Sequence, residues 1–174
     1  MEASLREWLG KIESLRCEIS DAVSTLTAEQ SRWKPSPDAW SAGQIVEHLT
    51  LADAKLGAPS REAGLEREGA LLRVVPRSTR FAMALRAFSR NVTLPLPSPD
   101  LDPTGVPSIA ESLLDWERVH RQIAVALDTV DAGEPSYFHP ILGPLSAAQM
   151  LELCHAHMAY HGRQIQDRVK AIPA

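Results

Sequence analysis

Residues 146–165 read SAAQMLELCHAHMAYHGRQI, and this stretch decides the fold. Ser146-Ala-Ala-Gln149 has the capping-box pattern that opens a helix. Behind it Met150, Cys154, His157, Met158, His161, Ile165, Val169 and Ile172 recur at helical spacing, so the segment is an amphipathic helix running nearly to the C-terminus. Two histidines lie on its apolar side. His157 and His161 stand at i and i+4, so both imidazoles leave one face about a turn apart.

The same pattern recurs upstream. Leu5, Trp8, Leu9, Ile12, Leu15, Ile19, Val23 and Leu26 form the stripe of a long first helix, which stops near Leu26. Thr27-Ala-Glu-Gln30 caps a short turn, and the prolines of Lys34-Pro-Ser-Pro-Asp38 make a loop. Ser41-Ala-Gly-Gln44 opens a helix with Ile45, His48, Leu49, Ala52 and Leu56 on its apolar side, ended by Pro59. Ser108-Ile-Ala-Glu111 opens another, striped by Ile109, Leu113, Trp116, His120, Ile123, Leu127 and Val130. Between them, 60–107 carry the weakest pattern. A helix over Ser78–Arg90 would present Phe81, Leu85 and Phe88, and LPLPSPDLDPTGVP (94–107) is too rich in proline for helix or central strand and should run extended across the surface. Residues 131–145 read as loop. Four long amphipathic segments, with no sustained alternation of period two, predict one all-α domain over 1–174. It is a four-helix bundle with an additional short helix, an extended Pro-rich connection and little or no sheet.

Composition narrows the function. Net charge is -4, which leaves no whole-chain footprint for nucleic acid. No apolar run approaches the ~20 residues of a membrane span, and charges interrupt the N-terminal segment too often for a signal peptide. Two cysteines, Cys17 and Cys154, make no disulfide framework and fit a reducing cytoplasm.

Chemistry therefore rests on the six histidines. His157 and His161 can reach one ion at the ~2.0–2.1 Å of a zinc–imidazole bond, and His48, on the core stripe of another helix, is the natural third ligand. A divalent ion satisfies one nitrogen of each imidazole, while neighbouring carbonyls or carboxylates take the other. The alternative for the i, i+4 pair is two polar residues beside a cavity. This is not the zinc-protease motif, because Met158 stands where H-E-x-x-H has its glutamate. His120 lies on an apolar stripe as a fourth ligand, a cavity-lining proton acceptor or a core histidine bonded to a neighbour; the last two are favoured. His155 falls on another side of the helix and should be exposed, and no role attaches to His139.

Cys154, a turn before His157, packs as a small apolar residue or offers a thiolate to the metal. Tyr160 and Gln164 flank the histidine face and donate to substrate or bond between helices. Glu47 and Asp53 either orient the ligand imidazoles or are solvent-exposed. Trp33 and Trp40 pack on the bundle end, Trp40 in position for a hydrophobic staple. Arg73, Arg77, Arg80, Arg86 and Arg90 form either a solvated face or an attractor for an anionic substrate.

Trp40-Ser41-x-x-Gln44-Ile45-x-x-His48-Leu49, Gly143-x-x-Ser146 and His157-x-x-x-His161-x-x-Gln164-Ile165 together resemble the DinB/YfiT-like superfamily over nearly the whole chain. The resemblance implies an up-down-down-up four-helix bundle, often a homodimer, with a three-histidine site for nickel or zinc at the positions of His48, His157 and His161. It also implies the class of reaction: characterised relatives include transferases and isomerases that use low-molecular-weight thiols. The expectation is a metal-dependent enzyme, a thiol S-transferase, isomerase or hydrolase acting on a small molecule. The alternative is a non-catalytic bundle that binds metal or a small ligand.

Overall fold

The computed structural model describes residues 1–60 and 74–173. Six α-helices follow in order: α1 (Ala3–Ser24), α2 (Ala28–Arg32), α3 (Ala42–Ala54), α4 (Arg77–Ser89), α5 (Ile109–Leu127) and α6 (Ala147–Ala171). All four expected capping boxes form. Thr27, Ser41, Ser108 and Ser146 each accept from the backbone N–H three residues on, and Gln30, Gln44, Glu111 and Gln149 return a bond to the cap N–H. Two of the four N-terminal N–H groups that a helix leaves unpaired are thereby anchored at each of these ends, which is why the sequence marks the starts so sharply.

The long helices α1, α3, α5 and α6 make the bundle. α1 packs on α6 and α5, and α3 packs on α5 and α6. Consecutive α5 and α6 thus face each other across the core instead of side by side, through the connection at 128–146. Leu5, Ile12, Val23, Ile45, Leu49, Trp116, Ile123, Leu127, Leu151, Met158 and Ile165 are fully buried between them. All but Leu151 belong to the predicted stripes. α4 lays Phe81, Leu85 and Phe88 against the outside of this core.

Two segments depart from expectation. The stretch read as loop at 131–145 holds a small antiparallel hairpin, β1 (Pro135–His139) with β2 (Gly143–Ser146), bulged between Pro135 and Tyr137. Strands of five and four residues are too short to show alternation, and their prolines disguise them. Gly143 takes φ +82° at the turn, a conformation that other residues adopt at a cost. Tyr137 pins the hairpin to the bundle by donating its hydroxyl to the carbonyl of Leu56 (2.9 Å). The Pro-rich connection runs largely on the surface, as expected, but turns inward at one point: Pro99–Leu101 is a 3-10 turn and Leu101 is buried. Leu94 and Leu96, earlier in the same connection, stay exposed.

The arginines of α4 are also not all solvated. Arg80 is buried and donates to the carbonyls of Val75 (3.1 Å) and Ile141 (2.6 Å), tying α4 to the hairpin. Arg73 lies outside the described residues.

Candidate metal centre

α3 delivers His48 and α6 delivers His157 and His161 to one point, where one nitrogen of each lies within 4.8 Å of the others. His48 and His161 are buried and His157 is half-buried. Their protonation patterns are set by what surrounds them. The Nδ1–H of His48 donates to the carbonyl of Leu101 (2.7 Å), and the Nδ1–H of His161 donates to Oε1 of Gln164 (2.8 Å). An imidazole that donates through Nδ1 carries a lone pair on Nε2 when neutral. Burial keeps these rings neutral: it holds His48 below its ordinary pKa, lowers His161 to about 3 and presses His157 well below the usual range, with the neighbouring imidazoles adding to the effect on His157 and His161.

The Nε2 of His48 faces the Nε2 of His157 at 3.1 Å. Two imidazole nitrogens bound to one tetrahedral ion at ~2.0–2.1 Å sit about 3.3 Å apart, so the donor set fits a divalent cation. The outer partners fit too, since Leu101 and Gln164 occupy the second nitrogens as such sites require. Gln164 is held in turn: its Nε2 donates to the Tyr160 hydroxyl (2.7 Å), which also pairs with Thr93 (3.2 Å). Trp40 covers His48 with ring centroids 4.8 Å apart and stacks over His161 at 6.2 Å, while Phe88 lies 5.2 Å from His157. Both rings also line the cavity beside the triad, so they give the imidazoles an apolar surround. Trp40 therefore does more than staple a helix end.

A cavity of about 710 Å³ opens beside the triad and is lined by it and by Cys154, Tyr160 and Gln164. Of the alternatives for His120, the structure shows one of the two favoured, the core histidine bonded to its neighbours. It is buried on α5, bonded through Nε2 to Asp53 (3.0 Å) and through Nδ1 to Glu13 (3.0 Å), and belongs to neither the triad nor the cavity wall. Asp53 is buried as well, not exposed. Its Oδ2 also accepts from the indole N–H of Trp116 (2.6 Å), and its Oδ1 accepts the thiol of Cys154 (3.1 Å). One carboxylate thus joins α3, α5 and α6, and His120 extends the chain to α1. Glu47 stays outside, binding the backbone N–H groups of Thr104 (3.0 Å) and Gly105 (2.8 Å). His155 is half-buried, edge-on to Trp8 at 5.5 Å. Trp33 is half-buried beyond the end of α2.

Cys154 is thereby assigned a structural role. Burial and the adjacent Asp53 carboxylate raise its thiol well above the ordinary range, whereas a metal-binding thiolate needs the opposite shift. In native protein iodoacetamide should modify Cys17, which is exposed, and leave Cys154 untouched. Cys17→Ser should remove all native labelling, and unfolding should restore reaction at Cys154.

Sequence reasoning missed two further contributors. His139, to which no role was attached, lines the cavity. The Leu101 carbonyl that orients His48 is 53 residues away in an irregular segment, which no periodicity reveals.

A family model described as the DinB superfamily matches residues 11–165. Among solved structures, the chain is similar to YfiT from Bacillus subtilis, described as a probable metal-dependent hydrolase with an unusual four-helix bundle topology. That likeness has a TM-score of 0.57 at 17% identity and covers 98% of this chain and 89% of the other. Among curated proteins none matches the chain in sequence.

Proposed function

The chain belongs to the DinB superfamily, and from that premise we propose that it is a metal-dependent enzyme whose His48, His157 and His161 hold a zinc or nickel ion beside a small-molecule cavity. The observation that carries this reading is the fixed tautomer of two ligands: Leu101 and Gln164 occupy Nδ1 of His48 and of His161, leaving Nε2 of each for an ion. Three protein ligands leave coordination positions open, the arrangement of catalytic rather than structural sites. A bound divalent ion would supply Lewis acidity, lowering the pKa of a water or of a low-molecular-weight thiol into the neutral range. The chain's own contribution is positioning and an apolar surround. Trp40 and Phe88 flank the triad, Gln164 and Leu101 hold its rings in orientation, and the cavity receives a substrate beside it.

Hydrolysis and thiol transfer both follow from such a site. The bundle acting as a homodimer in the cytoplasm is part of the same reading, supported by the family resemblance; no helix among the described residues is long and apolar enough to cross a membrane. The test is turnover by tag-free protein, chelated and then reloaded with zinc or nickel. The panels are activated esters and amides for hydrolysis, and electrophiles with glutathione, mycothiol or bacillithiol for transfer. Metal-restored turnover in one panel, lost in His161→Ala, is the expected result. Stoichiometric metal without turnover in any panel would favour a binding module instead.

A further inference from the structure

The cavity beside the triad can be read for what its polar groups leave unmet, because a ligand is selected by the hydrogen bonds that a wall cannot satisfy by itself. Its acceptors are largely spoken for. The Asp53 carboxylate already takes Trp116, His120 and Cys154. Asp100 is engaged by Lys55 and by Ser98. The Gln164 carbonyl serves His161, and the Tyr160 hydroxyl is shared between Gln164 and Thr93. Asp38 is the remaining carboxylate on the wall, in the exposed loop at the rim where water reaches it.

Arg168 and His139 each hold an unmet donor on this wall. Arg168 is half-buried on α6, seven residues beyond His161 and so on the same face, about 10 Å further along the helix. Its Nε donates to the carbonyl of Trp40 (3.1 Å), which fixes the side chain against the cavity, while the forked Nη groups bond nothing and pair with no carboxylate. His139 is the second. The backbone N–H groups of Ile141 and Leu142 both donate to its Nδ1, each at 3.2 Å. A backbone N–H can only donate, so Nδ1 is the acceptor and the ring proton sits on Nε2, which has no partner. Burial, which lowers this imidazole to about 4, agrees with that neutral form.

We propose that the cavity binds an apolar carboxylic acid, with its carboxylate on the Arg168 guanidinium and an oxygen acceptor of its other end on the Nε2–H of His139, beside the histidine triad. Phe88, Leu94, Leu96, Phe138 and Leu142 supply apolar wall to the same cavity. Guanidinium is the cation best matched to a carboxylate, and a partly desolvated one discriminates more strongly than one in water. That the second contact lies at the reacting end rests on the metal-enzyme reading; the carboxylate contact stands without it.

The test uses 11-(dansylamino)undecanoic acid and its methyl ester as fluorescent probes on the intact protein. Wild type is expected to bind the acid roughly tenfold or more tightly than the ester, the range of a hydrogen bond to a charged group. Arg168→Met keeps the apolar stem and should bring the ratio close to one. Arg168→Lys should keep part of it, and Arg118→Met, an exposed arginine of α5, should leave it unchanged. Nitrogen NMR of ring-labelled histidine should show His139 as the Nε2–H tautomer, shifted by the acid. Equal binding of acid and ester by wild type, failure of wild type to bind either, or an undiminished ratio in Arg168→Met would each overturn the proposal. Metal content and melting temperature, read on the same samples, separate the two ideas. A preference for the acid in protein that takes up no metal would sink the enzyme reading and leave this one standing. Bound metal without the preference would do the reverse.

Discussion

Replacing His157 with alanine is expected to abolish stabilisation of the fold by zinc while leaving the metal-free protein nearly as stable as before. An ion that binds only the native state stabilises it by about 2.7 kcal/mol at a hundredfold excess over Kd, which for a domain of this size raises Tm by about 5–10 °C. Wild type should show that rise and His157→Ala should not, because two imidazoles on different helices make a poor site. The metal-free protein tells the other half. Without an ion, Nε2 of His48 faces Nε2 of His157 at 3.1 Å, and at most one proton can lie between them. Removing one ring gives up that single hydrogen bond and opens a small void beside the cavity, where water can replace the partner, so the net change should be about 1 kcal/mol. A large loss of metal-free stability would mean that the triad is a packing feature. Calorimetry of both proteins with and without zinc decides the point.

Asp53→Ala is expected to be the most damaging single change on the cavity wall, costing about 3–5 kcal/mol. It would leave the Trp116 indole N–H, the Cys154 thiol and the His120 ring without their acceptor, in a place that water scarcely reaches. Each stranded donor carries about 1–3 kcal/mol of desolvation penalty. Asp53→Asn, which keeps one carbonyl oxygen and the shape, should lose less. Urea unfolding followed by tryptophan fluorescence measures both, with Trp116 in the affected network. Equal stability of Asp53→Ala and wild type would show that the carboxylate does not hold α3, α5 and α6 together.

The bundle was legible because its signals are local. Capping boxes at Thr27, Ser41, Ser108 and Ser146 and stripes of period 3.6 each need only a few neighbouring residues, and all of them stand in the structure. The convergence of His48 with the α6 pair was legible for a related reason, since all three lie on core-facing stripes of helices that pack together. What escaped was non-local. His120 could be placed on a buried face, but its partners Asp53 and Glu13 lie 67 and 107 residues away. Asp53 carried a missed signal of its own: it follows Ile45 and Leu49 at steps of four, and so points inward with them. The hairpin at 135–146 was hidden by prolines and by short strands. His139 gained its place only through that hairpin, because the turn bends back so that Ile141 and Leu142 donate to its ring.

Anomalous diffraction from crystals of tag-free protein, collected on either side of the zinc and nickel absorption edges, tests the central claim most directly. The account predicts one strong peak bonded to Nε2 of His48 and Nε2 of His161 and to a ring nitrogen of His157, with Leu101 and Gln164 still on the opposite nitrogens. Crystals grown with added zinc that show no peak there, and in which the three imidazoles bond only to one another or to water, would contradict it.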